Sequence, residues 1–404
     1  MQRGGGENAL AMLVEHIQGI FSKEHGGPTY SLSNSARGQA ARGIAIRVRV
    51  LEGFRGTSAA HRLGSGVDQA IFPVRFPKVS GRSPKLSKFL RRETAPDIYH
   101  LHGAWLLAMK YGADEARKRR IPYMIEMMGA YQPAELKRKP FRKRVFRGWF
   151  QDAILQAASC IQTNSIMEAR QLAELGFRGP FAPIPVGFDL QAAGEAERKL
   201  PEHRPDFAEM PAGGRIVLFL ARVHANKGIE VLLEAWQRLA PEFENVCLVV
   251  AGSCQKEYGD SLLARFEALV RSRRVKFLGH VSDLDKVWLY RKAAVYCLPS
   301  FSENYGATIQ DALGYGVPVI TTRETPWDNL EKMNIGWLVE PKIDAVAETL
   351  RAALLLPSGT LAAMGERAGA WIRKEFSLET VIGQQLAVYD WMLGGDEPDF
   401  LIRN

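Results

Sequence analysis

Several things are scarce in this 404-residue chain, and each scarcity removes a class of protein. No run approaches the roughly 18 uninterrupted apolar residues of a membrane-spanning helix. Cysteine occurs four times, at Cys160, Cys247, Cys254 and Cys297, without a CxxC pair. Three of these sit in apolar runs that read as strands or strand ends, so buried free thiols are expected rather than a disulfide framework. The eight histidines form no HExxH and no metal-spaced cluster, and spacing supports no metal site. Glycine is not arranged as a dinucleotide fingerprint, since "MQRGGGENAL" lacks both the GxGxxG spacing and a preceding strand. That N-terminus carries one Arg and an acidic residue before a short apolar patch. It makes a poor signal peptide and predicts a cytoplasmic protein.

What is present is ordinary soluble composition, 46% hydrophobic and 24% charged, over a length that suggests about two domains. The charge is less ordinary. Net charge is +9 and the isoelectric point is near 9.3, which suits nucleic acid, an anionic membrane surface or phosphate-bearing substrates. Between Glu135 and Asp152 lie seven basic residues and no acid: Lys137, Arg138, Lys139, Arg142, Lys143, Arg144 and Arg147. No RNA-binding or zinc-finger signature accompanies them, which argues against nucleic acid.

Two halves share one grammar. In the C-terminal half, short β-branched runs at 215–221, 246–252, 274–279, 294–300 and 317–322 alternate with helical patterns. The first of those helices places Ile229, Leu232, Leu233, Trp236 and Leu239 on one face. The N-terminal half repeats the scheme at 12–17, 44–50, 97–102, 122–127 and 159–163. Alternation of this kind predicts βαβ units and parallel sheets. The expected organisation is an N-terminal Rossmann-like domain over 1–190, a Pro-, Gly- and charge-rich linker over 191–214, and a second Rossmann-like domain over 215–375. A C-terminal helix in 376–404 is expected to cross back to the first domain. Two such doubly wound α/β domains would present the carboxyl ends of both sheets to a shared cleft, where open sheets of this kind bind ligands.

Two motifs fit a phosphate. In "FLARVHANKGIE" Arg222 leaves a strand end and Lys227 returns at a helix that is expected to begin at Gly228. Fixed cations there suit a diphosphate, although solvated surface charge is the plain alternative. In "PSFSENYGATIQDALGYGVP" a strand ends at Pro299 and a helix starts near Gly306. Backbone N–H groups from about Tyr305 to Thr308 would make an anion cradle, and Gly306 permits close approach. Glu303 and Asp311 flank that cradle with seven residues between them. Carboxylates cannot grip phosphate but accept hydrogen bonds from hydroxyls, so the ligand implied has phosphate in its middle and hydroxyls at both ends. A nucleotide sugar is such a molecule.

With these stretches in hand, "RVHANKG" and "FLGHVSDLDKVWLYRKAAVYCLPSFSENYGATIQDALGYGVPVITT" resemble the retaining GT-B glycosyltransferases of family 4. "HGGPTYSLSNSARGQAARG", "PDIYHLHGAW" and "GFRGPFAPIPVGFDL" extend the resemblance in family order across nearly the whole chain. The resemblance implies that Arg222 and Lys227 neutralise the donor diphosphate and that Glu303 binds donor-sugar hydroxyls. Asn304, Tyr305, Gly306 and Ala307 would supply backbone donors, and Asp311, where the family's E-x7-E motif carries Glu, would bind the ribose. Gly279, His280 and Val281 would hold the base, Gly26 and Gly27 the phosphate, and His102 would position a hydroxyl of the reacting sugar, a buried structural histidine being the alternative. The chain departs from the family at Ala221, usually Gly, at Val186, usually Asn, and at Glu15 within the first strand.

The implied reaction moves a hexose from a nucleotide-diphosphate sugar to a glycan or lipid-linked acceptor, in bacterial cell-surface polysaccharide or lipopolysaccharide synthesis. It would retain configuration, with no enzymic nucleophile, no cofactor and no metal. "DLD" at 283–285 reads as helix capping by Ser282 and Asp285 rather than as a metal motif. The basic stretch, if helical, puts Phe141, Val145 and Trp149 at i, i+4 and i+8. Two compatible readings are an amphipathic helix packed on the N-terminal domain and a contact with anionic headgroups on the inner face of the cytoplasmic membrane. Competing readings for the whole chain are a non-catalytic nucleotide-sugar-binding protein and a GT-B-fold epimerase or hydrolase.

Overall fold

The apolar runs of both halves pair in parallel, as continuous β-branched strands bounded by helices do when both faces are covered. The structure is a computed structural model and describes residues 12–22, 26–54, 57–200 and 214–403. It divides into two units, 1–187 with 378–404, and 188–377.

The first unit holds β1 (Leu13–Ile20), β2 (Ala45–Glu52), β3 (Asp68–Pro73), β4 (Ile98–His102), β5 (Tyr123–Glu126), β6 (Cys160–Thr163) and β7 (Phe181–Pro183). Their order in the sheet is β3-β2-β1-β4-β5-β6-β7. The second unit holds β8 (Arg215–Leu220), β9 (Val246–Ala251), β10 (Val275–Gly279), β11 (Ala293–Leu298), β12 (Val319–Thr322) and β13 (Gly336–Val339), ordered β10-β9-β8-β11-β12-β13. Each sheet therefore runs outward from a central strand and restarts beside it. That reversal, between β1 and β4 and between β8 and β11, is the point where doubly wound sheets open a ligand crevice.

β3, β7 and β13 have no counterpart in the sequence reading. β3 is an edge strand beginning at Asp68-Gln69 and ending at Pro73, and β7 has only three residues. Edge strands pack one side and tolerate such residues, so their pattern is weak. The linker needs correcting too. Leu190–Arg198 is a helix of the second unit, with Asp189 accepting from the Ala192 N–H at 2.9 Å. Alanine, Glu and Arg are good helix formers, and an Asp N-cap outweighs one internal glycine. Residues 201–213 of the expected linker lie outside the described residues.

The helix Leu378–Met392 closes the chain and packs in the first unit. Its Val388 and Tyr389 are buried with Val14 of β1, Val48 of β2 and Ile98 of β4. Glu15, the acid inside β1, is matched by a wholly buried Arg49 from β2 at 2.7 Å, and Arg49 also reaches Asp68 at 2.9 Å. Cys160, Cys247 and Cys297 are buried free thiols, whereas Cys254 is exposed.

Candidate functional site

In the second unit, the loops after β8 and β11 are stitched to each other. The Phe301 N–H and the Ser300 hydroxyl both donate to the Asn226 carbonyl, at 2.9 and 3.0 Å. Asn226 Nδ2 donates to the Ser302 carbonyl at 3.2 Å. Gly228 is the N-cap of helix Ile229–Leu239 rather than its first residue, because its φ of +70° is left-handed. A Cβ built there would collide with the Pro299 carbonyl. This close backbone approach brings "RVHANKG" against "PSFSENYG".

The convergence joins the expected ligand groups. Lys227 donates to the Glu303 carboxylate, and both side chains are largely buried. Glu303 is held from behind by its N–H, which donates to the Glu324 carbonyl at 3.1 Å. Gly306, at φ +78°, is the N-cap of the helix Ala307–Gly314. That turn is fixed on two sides: Trp327 Nε1 donates to the Tyr305 carbonyl at 2.6 Å. The Tyr296 hydroxyl lies 2.7 Å from Thr308 Oγ1 and donates to the Leu220 carbonyl at 3.0 Å.

Two charged groups stand without partners. Arg222 follows β8, is exposed, and makes no hydrogen bond or ion pair among the described residues. Asp311, one turn into the helix, is partly buried and likewise accepts no side-chain hydrogen bond among the described residues. Burial pushes its carboxyl up to about 7, with Lys286 opposing that shift. A desolvated acid without donors, in the helix that begins at the Gly306 turn, suits a ligand that brings hydroxyl donors. Gly279, which ends β10, and His280 are exposed, Val281 is buried, and the Gly279 carbonyl accepts from the Gly252 N–H at 2.7 Å. Ser282 and Asp285 form a complete capping box, so "DLD" is spent on the helix Asp283–Lys292.

The first unit places its expected residues at its own switch point. Gly26 (φ +63°) caps the helix Gly27–Ala41 after β1, and neither Gly26 nor Gly27 has a neighbour where a Cβ would be. His102 ends β4. It is buried, with Nδ1 on Glu126 Oε2 at 2.7 Å and Nε2 on His16 Nδ1 at 2.9 Å. Both ring nitrogens are thus engaged inside the protein. Burial lowers His16 and His102 to about 3 and raises Glu126 to about 8. Sequence reasoning missed His16, Glu126 and the neighbouring His100. The available signal was polar residues inside strand-like runs, "LVEHIQGI" and "PYMIEM".

The basic stretch forms the helix Pro140–Phe146 and a widened turn at Arg147–Gln151. Phe146 and Phe150 anchor it, while Phe141, Val145 and Trp149 are 81%, 48% and 56% exposed. The i, i+4, i+8 stripe therefore faces solvent, and the helix packs on the first unit through Phe146 and Phe150 instead. Arg142 donates to the Val79 carbonyl at 2.6 Å, Lys143 binds Glu135, and Arg147 binds Asp152 at 3.0 Å. These three cations are turned to the protein. Lys137, Arg138, Lys139 and Arg144 are exposed.

Comparison with known proteins gives a consistent picture. Residues 26–187 match the glycosyl transferase 4-like domain, and residues 204–371 match the glycosyl transferases group 1. A phosphatidyl-myo-inositol mannosyltransferase of Mycobacterium tuberculosis is 26% identical over 256 residues, 62% of this chain and 64% of the relative. The match thus spans just under two thirds of that relative's length. A lipopolysaccharide core biosynthesis mannosyltransferase of Rhizobium leguminosarum bv. viciae is 30% identical over 48% of this chain and 57% of its own. Among solved structures, Anabaena HepE, in complex with UDP and glucose, superposes with a TM-score of 0.69 at 18% identity, covering 94% of this chain and 100% of that one.

Proposed function

We propose that this chain, which belongs to the family 4 glycosyltransferases of GT-B fold, transfers a hexose from a nucleotide-diphosphate sugar to a glycan or lipid-linked acceptor with retention of configuration. The observation that carries the reading is the pairing of Lys227 with Glu303 where the loops after β8 and β11 meet, in a unit whose Arg222 and Asp311 make no ion pair among the described residues. Without ligand, the ammonium and carboxylate neutralise each other. An arriving diphosphate draws Lys227 toward it, joins Arg222 and the Ala307–Gly314 helix start, and leaves Glu303 to accept from donor-sugar hydroxyls. Asp311, otherwise short of donors, accepts from ribose hydroxyls. As the glycosidic bond breaks, the same cations and amides hold the charge developing on the leaving diphosphate, which removes the need for a metal there. The donor phosphate oxygen takes the acceptor proton on the face that the diphosphate leaves.

Named relatives act on phosphatidylinositol and on lipopolysaccharide core. A lipid-linked acceptor accords with the exposed Phe141, Val145 and Trp149 stripe, and with Phe76 and Val79, whose segment Arg142 holds alongside it. Apolar side chains inserted at the headgroup boundary, with Lys137, Arg138, Lys139 and Arg144 exposed in the same stretch, suit peripheral binding to an anionic leaflet.

The engaged state of His102 favours one second reading, a nucleotide-sugar-binding protein that does not transfer. Thermal melting with UDP, GDP, ADP and dTDP in turn tests the donor site. A nucleotide at about 100 times its dissociation constant stabilises by roughly 2.7 kcal/mol. The expected result is one nucleotide that shifts the melt and loses its effect in Arg222→Ala with Lys227→Ala; no shift with any of them sinks the donor assignment. Donor consumption that requires acceptor, with the product anomer read by NMR, separates transfer from mere binding.

A further inference from the structure

Beyond that activity, the geometry points to a transition-metal site in the first unit, formed by His16, His100 and His102 and suited to Zn²⁺. The parallel register of β1 and β4 sets His16 opposite His100 and Gln18 opposite His102, so all four project from one face of the sheet. One ring nitrogen from each histidine lies within 4.8 Å of the others. All three side chains are buried.

The outer nitrogens are already dressed as those of metal-bound imidazoles are. His102 Nδ1 meets Glu126 Oε2 at 2.7 Å, His16 Nε2 meets Gln39 Oε1 at 3.0 Å, and His100 Nδ1 meets the Tyr389 hydroxyl at 2.6 Å. A carboxylate, an amide oxygen and a phenol orient three rings and leave their other nitrogens facing inward. The Gln39 amide is itself fixed, since its Nε2 donates to Gln385 Oε1 at 2.8 Å. Its oxygen only accepts, so His16 Nε2 carries the proton and Nδ1 presents a lone pair.

The inner side is incomplete without a ligand. His100 Nε2 is buried with no hydrogen-bond partner, and so is Gln18 Oε1 on the same face. A hydrogen bond between His16 and His102 satisfies neither. A divalent cation takes the three imidazole nitrogens, leaving Gln18 Oε1 or a water for the fourth position of a tetrahedron. At Zn–N distances of about 2.0–2.1 Å the nitrogens sit roughly 3.4 Å apart, so His16 Nδ1 and His102 Nε2 open by about half an ångström. Imidazole donors suit several divalent ions, of which zinc is the one that takes a tetrahedron of N and O ligands, and the absence of thiolate fits no iron–sulfur or soft-metal site.

Because the cluster is buried, loading is read through folding. The full chain is refolded from denaturant with ZnCl₂ or without it, passed over a chelating resin, and its zinc measured. The expected result is about one zinc per chain and a melting point raised by roughly 5 °C. Loading with Co²⁺ should give tetrahedral d–d bands without a thiolate charge-transfer band. His100→Gln and His16→Gln should abolish both zinc retention and the thermal shift. Wild type that keeps no zinc after refolding overturns the site, and the cluster is then held by a proton on Glu126 instead. Equal zinc in the variants overturns it as well, and a thiolate band places the metal on cysteine. If a variant fails to fold, the wild-type zinc ratio and cobalt spectrum decide alone. None of these readouts involves glycosyl transfer, so failure here leaves the donor-site reading intact.

Discussion

Replacing Asp311 with Asn should stabilise the second unit at high pH while weakening nucleotide binding. Burial raises this carboxyl from 3.8 to about 7. Roughly three pKa units at about 1.36 kcal/mol each set a ceiling near 4 kcal/mol. The side chain keeps some contact with solvent, and halving for screening leaves about 2 kcal/mol. The folded pKa lies above the unfolded one, so the folded state holds the extra proton between pH 4 and 7. Stability therefore falls as pH rises through that window and stays low above it. Asn removes the ionisation at nearly constant shape. Scanning calorimetry of wild type and Asp311→Asn at pH 4.5 and pH 8.5 measures it. For a unit of this size about 2 kcal/mol corresponds to roughly 4–8 °C, so the variant should melt that much higher at pH 8.5 and within about 2 °C of wild type at pH 4.5. The same variant should bind its nucleoside diphosphate at least tenfold more weakly, since a hydrogen bond to a charged acceptor contributes about 1.5–3 kcal/mol. A variant no more stable at pH 8.5 would refute the desolvation argument, and unchanged nucleotide affinity would refute the ligand role.

Glu15→Ala should destabilise the first unit by about 3–5 kcal/mol, because the buried Arg49 loses its buried acid and keeps only the more exposed Asp68 and the more distant Glu93. The double replacement Glu15→Leu with Arg49→Met should cost less than either single change, as denaturant titration can show; a double variant as weak as the sum of the singles goes against it. Gly228→Ala forces a Cβ into the Pro299 carbonyl at a left-handed φ, and should both lower the melting point by several degrees and uncouple the two loops that hold Lys227 and Glu303. Phe141→Ser with Trp149→Ser should abolish co-sedimentation with anionic vesicles yet leave thermal stability within about 0.5 kcal/mol, since both side chains already face solvent. Retained sedimentation would assign those aromatics another role.

How much could be read in advance differs by element. Ten strands, the nine interior ones and the edge strand β10, were legible as short apolar, β-branched runs, and so was the final helix. The edge strands β3 and β7 were not, since they bury little and carry Pro, Asp and Gln. The helix Leu190–Arg198 hid inside a stretch whose Pro and Gly content speaks for a connection, although its Asp189 cap was visible. In the candidate site, Arg222, Lys227, Glu303 and Asp311 stood out because each is a charged residue in or just beyond a strand-to-helix connection, where doubly wound sheets place their ligands.

Sequence by itself determined the alternation of strand and helix, the two parallel sheets and the charged residue types of the proposed diphosphate site. These follow from local periodicity and from chemistry carried by single side chains. Only the tertiary structure decided which groups share partners. Lys227 meets Glu303 across 76 residues of chain, and His16 meets His102 across 86. It also decided that Phe141, Val145 and Trp149 face water while Phe146 and Phe150 do not. Such outcomes depend on which strands become neighbours and how closely their backbones approach, as at Gly228 and Pro299. Desolvation and hydrogen-bond partners are properties of that assembled neighbourhood rather than of any segment within it.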